Sequence, residues 1–385
     1  MWLLGAPKDL AELAALYLAA RALGAQPASQ KSPLLPRPAW LAELPSEGEG
    51  RWLGEPELPA DPFAYPIPQD LPPLEATLVF AGLWQASGGF ERFPGDPKSI
   101  QRLAERIDPL LLWGWLYTPP APGESPEEEA LPLPTDLAEL LPPLRLWLVG
   151  GVVRDALLGQ RPRDLDLVLP PSGRLGEQSA ALGAYLQARL GGTLRTYPRY
   201  GTAELTGGAL EVDLAELRRE RYAAPGALPQ VQPGTLEDDA ARRDFTVSAL
   251  YWEPPGRLLD FWGGREDLAA SRLRLVHPFA FLEDPTRALR GARMAYRYAW
   301  SWPSTLDLQL APALHPEVLR RVKPRRLQGE LLLSLAEPDS EGLMRFLDER
   351  GLLAAFLGLT TLPPLRAPTP LGRLQELLKA AQAVN

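Results

Sequence analysis

Apolar residues recur at helical spacing across residues 10–25, LAELAALYLAARALGA, and predict a helix there. The pattern then breaks. Twelve prolines between residues 26 and 75 exclude long regular elements. LEATLVFAGLWQA, 74–86, predicts a second helix. Asp96-Pro97 reads as an N-cap followed by proline in the first turn. It opens a helical stretch running through IQRLAERIDPLLLWGWL, interrupted at Pro109. Eight prolines and the acidic run Glu127–Glu129 then occupy 117–143, the clearest linker in the chain.

After the linker the pattern changes. LRLWLV, 144–149, reads as a buried strand ending in a glycine pair and a helix start. DLDLVL, 164–169, alternates as a strand does. Residues 178–190 read as helix, 193–215 as two or three strands, and 240–251 as helix again. This order predicts an α/β arrangement around a mixed sheet. From about residue 278 the chain reads as nearly all helix, and no internal repeat is evident. The expected units are 1–116, Pro/Trp-rich and mainly helical; the linker 117–143; a sheet-containing unit 144–277; and a helical unit 278–385.

Composition narrows the chemistry. The 385 residues include no cysteine and only two histidines, His277 and His315. Thiolate chemistry and histidine-rich metal centres are excluded, so any divalent metal must be held by oxygen, which favours magnesium, with manganese as a second choice. The first residues lack a basic n-region and carry Asp9 and Glu12, so no secretion signal is expected. No run of about 20 apolar residues exists to span a membrane, and a cytoplasmic protein is expected. A net charge of −8 argues against indiscriminate coating of nucleic acid. Residues 287–326 nevertheless hold eight Arg and one Lys against Asp307 and Glu317, a local +7. Such a stretch suits one defined RNA contact or, equally, a solvated helix surface.

Candidate chemistry lies in the middle. In LWLVGGVVRDALLG, 146–159, a strand ends at Gly150-Gly151 and a helix begins at once. Glycine lets a backbone approach a ligand closely, and a helix start offers free N–H groups to phosphate; a plain tight turn is the alternative. Arg154 in the first turn could reach the same anion. Asp164 and Asp166 fall on one strand face, about 6–7 Å apart. Two such acids repel unless a cation lies between them, and paired magnesium ions activate a hydroxyl for attack on phosphorus. Asp213, in ALEVDLAEL, is a possible third acid. Arg242-Arg243-Asp244 suits triphosphate binding or a helix-end salt bridge. Arg287, Arg290, Arg293 and Arg297 share one helix face and need something anionic to neutralise them.

These segments, together with RRERYAAPGALPQV, LEDDAARRDFTVSAL, LLDFWGGREDLAASRLRLV and EDPTRALRGARM, resemble the class II tRNA nucleotidyltransferases (CCA-adding enzymes) and bacterial poly(A) polymerases. The match is strong over about 146–300 and weaker to about 355. The resemblance implies an α+β fold. A polymerase-β-like nucleotidyltransferase head with a mixed sheet, 144–277, would be followed by a helical neck and short C-terminal body, 278–385. An extra mainly helical N-terminal domain would precede them.

It also implies roles. Asp164 and Asp166 would bind catalytic Mg2+ (or Mn2+). Gly151 and Arg154 would contact the nucleotide, and Arg243 its triphosphate or sugar. Asp284 and Arg287 would read the base edge of CTP or ATP, with Arg290 and Arg293 completing the nucleotide site. An acid–arginine pair matches the amino donor beside a ring-nitrogen acceptor that cytosine and adenine share. The segment between Asp213 and Arg242 would form a mobile loop. The implied activity is template-independent addition of C, A or both to the tRNA 3′ end. The alternatives are a poly(A) polymerase acting on general RNA ends and, more distantly, a catalytically silent RNA-binding protein. Three departures stand out. About 143 residues precede the first motif, Ser248 replaces the usual Asn, and the later basic motif is reduced to VKPRRLQGE, 322–330. Six of the eleven tryptophans lie before residue 117, which predicts a folded N-terminal unit; it either packs on the neck or C-terminal helices in place of the family's longer helical body or, equally, is an unrelated appended domain.

Overall fold

The computed structural model describes residues 66–68, 70–94, 96–120, 127–130, 140–142, 144–160 and 164–384. Before them it describes 2–4, 11, 14, 15, 17, 18, 27–29, 51–53 and 62–64. Most of the proline-rich tracts at 26–61 and 121–139 falls outside the described residues. Within the early segment, β1 (Trp2–Leu4) pairs in parallel with β2 (Pro27–Ser29) and β3 (Arg51–Leu53). In the predicted first helix, the described residues are helical, and Ala14, Ala15, Tyr17 and Leu18 are buried.

Three helices follow: α1 (Pro73–Ala86), α2 (Pro97–Ala104) and α3 (Pro109–Leu116). Asp96 caps α2 by accepting from the Lys98 N–H, as its sequence predicts. Pro109 does not merely interrupt a helix. It occupies the first turn of α3, capped by Asp108. Every residue of α1 from Ala76 to Trp84 is buried, as expected of a helix apolar on all sides.

The main sheet has eight strands: β4 (Glu127–Ala130), β5 (Trp147–Val149), β6 (Asp164–Leu169), β7 (Thr193–Tyr197), β8 (Thr202–Thr206), β9 (Glu211–Glu216), β12 (Leu250–Glu253) and β13 (Arg257–Asp260). Their order is β4-β13-β12-β5-β6-β9-β8-β7. All neighbours are antiparallel except β6 and β9, which run parallel at the centre. The acidic run expected in the linker therefore contributes an edge strand, and its charge suits an exposed sheet edge. Residues 240–251, expected as one helix, divide otherwise. Helix α6 (Leu236–Ala241) stops, and Leu250–Glu253 joins the sheet, where Tyr251 and Trp252 pair with Val149 and Leu148. Burial of two large aromatic residues against β5 outweighs the local helical pattern. The segment expected as a mobile loop holds a hairpin, β10 (Arg218–Arg221) with β11 (Gln230–Pro233).

Helices α4 (Gly151–Leu157) and α5 (Glu177–Leu190) belong to the sheet unit, and α7 (Gly264–Ala269) follows β13. The helical unit comprises α8 (Ala280–Glu283), α9 (Arg287–Tyr298), α10 (Ser304–Leu310), α11 (Pro316–Leu319), α12 (Pro324–Leu335), α13 (Ser340–Glu349), α14 (Leu352–Leu357) and α15 (Pro370–Val384). One apolar core runs from α1 through the sheet to α15. The N-terminal helices meet this unit directly. Trp84 and Trp113 pack on Phe279, at 5.1 and 6.2 Å between ring centres. Gln309 donates to the Gly89 carbonyl at 2.8 Å. A Cβ at Gly89 would lie 2.2 Å from Pro278, so glycine permits the contact. None of the described helices is long and apolar enough to cross a membrane.

Candidate active site

Strand register assembles the acids. Asp164 and Asp166 alternate onto one face of β6 while Leu165 and Leu167 are buried. The parallel register sets Asp166 directly beside Asp213 of β9. Oxygens of Asp164, Asp166 and Asp213 come within 4.8 Å of one another, a set that could hold a metal ion. Gly150 and Gly151 border this set. Gly150 has φ +72°, and a Cβ there would lie 3.2 Å from Asp166 Oδ2. Helix α4 starts at this glycine pair.

The electrostatics follow. Loss of hydration, then the Asp164 charge, raises Asp166 to about 6, against the pull of Arg243, the Gly151 N–H and Arg154. Desolvation followed by Asp166, Glu204, Asp164 and Glu211 raises Asp213 to about 7. Glu204 stands beside Asp213 on β8, so the acids continue across three strands. A cavity of about 270 Å³ opens here, lined by Asp166, Asp213, Glu204, Arg218, Arg242 and Arg243 among others.

Arg242 and Arg243 both bind Asp239, at 2.6 and 2.9 Å, three and four residues back in the chain. Arg243 Nε also donates to the Tyr251 hydroxyl at 2.8 Å. A helix-end salt bridge is thus present, but its acid is Asp239; Asp244, the acid of the sequence triplet, pairs with Arg290, and the Asp239 pair holds Arg243 at the cavity. Asp239 is fully buried, and although burial raises it, these arginines and Tyr251 hold it below the ordinary carboxylate range. Sequence reading missed it, although acid and arginines have helical spacing in LEDDAARRD.

Arg154 lies beside the glycine pair, its Nη2 3.6 Å from where a Gly151 Cβ would stand. Its guanidinium bonds Asp155 (2.9 Å) and the Tyr298 hydroxyl (2.9 Å), tying α4 to α9. Asp284 accepts from Thr286 Oγ1 at 2.7 Å and from Arg326 Nη2. Arg287 donates to Glu283 Oε2 (2.9 Å), Ala280 O (3.1 Å) and Arg242 O (2.9 Å). Three of its five N–H donors therefore hold the protein. Arg290 pairs with Asp244 and Glu330, Arg293 with Glu330, and Arg297 with Glu337. The basic helix is consequently no free RNA face: its arginines are neutralised within the chain. Sequence reading missed Glu330 and Glu337. Their spacing of seven matches that of Arg290 and Arg297, but nothing local pairs two helices some 40 residues apart.

A mixed sheet with a parallel acid-bearing pair, a Gly-Gly helix start and an arginine-lined cavity define a polymerase-β-like nucleotidyltransferase head. Residues 146–274 match the poly A polymerase head domain. The chain is 38% identical to an A-adding tRNA nucleotidyltransferase of Aquifex aeolicus (strain VF5), over 50% of this chain and 23% of that protein. It is 38% identical to the CC-adding tRNA nucleotidyltransferase of Deinococcus radiodurans, over 58% of this chain and 59% of that protein. Among solved structures it is similar to a CCA-adding enzyme in an apo form, at 28% identity and a TM-score of 0.50, covering 62% of this chain and 59% of the other. The chain thus spans less than two thirds of these relatives' lengths.

Proposed function

We propose that this chain transfers nucleotides, C, A or both, from CTP or ATP to the 3′ end of tRNA in the cytoplasm. The observation that carries the reading is the close grouping of Asp164, Asp166 and Asp213, with no ion pair to any of them among the described residues, beside a glycine-lined helix start. An all-oxygen donor set fits a hard divalent cation, magnesium before manganese. Bound there, such ions would neutralise charge on the triphosphate and favour ionisation of the attacking hydroxyl. Asp164 and Asp166, with Asp213 as a third ligand, would hold them. Arg243 orients the triphosphate, and the Gly151 backbone leaves room for it. Asp284 accepts the amino group of cytosine or adenine, and Arg287 donates to the adjacent ring nitrogen. Guanine and uracil present the reverse pattern and are refused. Arg154, Arg290 and Arg293 support this site through α9.

Tailing assays with each NTP separately, on tRNA lacking its 3′ end and on unstructured RNA, test the reading. Addition of C or A to tRNA alone supports it. Long A tails on both RNAs would make the protein a poly(A) polymerase, and no transfer in magnesium or manganese would overturn both.

The domain reading is also a proposal. Residues 1–116 act as a brace in place of a longer helical body, carried by the packing of Trp84 and Trp113 on Phe279. Each such ring buries roughly 150–250 Å², about 4–6 kcal/mol at about 25 cal/mol per Å². A chain beginning near Leu144 should therefore aggregate or keep only weak transfer to short acceptor mimics. Unchanged solubility and tRNA affinity would sink the brace.

A further inference from the structure

The N-terminal helices make one polar connection that leads to the nucleotide site. Tyr117 follows α3, and its N–H still bonds the Trp113 carbonyl at 2.9 Å. Its ring stacks on Trp113 at 3.6 Å and meets Phe279 edge-on at 5.7 Å. The ring position is therefore fixed by packing from two elements. Its hydroxyl donates to Glu283 Oε1 at 2.9 Å.

Glu283 is buried, and both of its oxygens are used. Oε2 accepts from Arg287 Nη1 at 2.9 Å and lies 3.1 Å from His277 Nε2. Arg287 in turn donates to the carbonyl of Arg242, the residue before Arg243. The last torsion of a glutamate is soft and roughly two-fold. An oxygen anchored by Tyr117 fixes the plane of the carboxylate, and that plane sets where the planar guanidinium of Arg287 points. Burial and the Glu283 charge push the Tyr117 phenol far above its ordinary range, so it remains a donor. Burial raises Glu283, but His277, Arg287 and Tyr117 outweigh it and hold the carboxyl below its ordinary range.

We propose that Tyr117 is a positioning residue for nucleotide choice: its hydroxyl orients Glu283, which aims Arg287 at the base. The proposal rests on the base-reading role given above to Arg287 and adds a part of the chain outside the nucleotidyltransferase head.

The test is equilibrium binding of CTP, ATP, GTP and UTP, with magnesium, to the full chain and to Tyr117→Phe, which removes only the hydroxyl. Thermal denaturation is measured in parallel. The expected result is a roughly tenfold loss of CTP and ATP affinity with GTP and UTP unchanged. In a Glu283→Gln background the same change should add nothing, because the two residues act in series. A lower melting temperature with discrimination intact would show that Tyr117 only packs, and would overturn the proposal alone. Equal binding of all four nucleotides by the unmodified chain would overturn the base-reading role and this proposal together. If Tyr117→Phe does not fold, Glu283→Gln decides: unchanged discrimination between CTP and UTP there overturns the proposal.

Discussion

Two regions of this protein concentrate like charge, and the fold treats them in opposite ways. On α9, Arg287, Arg290, Arg293 and Arg297 meet Glu283, Asp244, Glu330 and Glu337. On β6 and β9, Asp164, Asp166 and Asp213 meet further acids, Glu204 and Glu211. Among the described residues the cations beside them, Arg243 and Arg154, are already bound to Asp239 and Asp155. The first cluster is thereby closed and holds helices together. Among the described residues the second is left open, and burial first, then the neighbouring acids, raise Asp166 and Asp213 toward neutral pH. A run of like charge in a sequence marks a ligand site only where the tertiary structure withholds the counter-charge.

The largest effect that sharpens this contrast is on transfer. Asp166→Ala should lower nucleotide transfer on the order of a thousandfold, while the metal-free protein melts at the same or a higher temperature at pH 7. A matching loss of stability would mean that the acids hold the fold as the arginines do. On the other side, Glu330→Ala strands Arg293, leaves Arg290 with Asp244 alone, and should cost about 3 kcal/mol, read from the urea midpoint. If added RNA restored that loss, the arginine face would be a nucleic-acid surface after all.

A smaller effect concerns pH. Between about pH 4 and pH 7 the folded chain keeps protons on Asp166 and Asp213 that the unfolded chain has released. Stability from these groups therefore falls as pH rises through that window. Without metal, Asp166→Asn combined with Asp213→Asn should melt above the unmodified protein at pH 8, by a smaller margin at pH 5, and level with it only below about pH 4. Magnesium should raise the melting temperature of the unmodified protein mainly at pH 8, and that of the double variant at neither pH. Equal curves for the two proteins would remove the contrast. The smallest effect is expected at Glu337→Gln, about 1 kcal/mol, because glutamine keeps a carbonyl oxygen to accept from Arg297.

Much of the site was legible because its rules are short-ranged. Alternation alone put Asp164 and Asp166 on one face, the glycine pair marked a strand-to-helix turn, and Asp96-Pro97 marked a helix start. The helical spacing of Asp239, Arg242 and Arg243 is also short-ranged, but sequence reading set the arginines beside Asp244 and missed Asp239. The strand at Leu250–Glu253 was not legible, because its pairing with β5 lies about 100 residues away and overrides the local pattern. The same holds for the parallel register that brings Asp213 to Asp166, for the acids that neutralise α9, and for the contact of Tyr117 with Glu283 across 166 residues. Spacings of two to four residues are fixed by backbone geometry, so the sequence by itself determined which side chains share a strand face or a helix turn. Which charge meets which across the molecule depends on how those faces pack, and only the tertiary structure decided that.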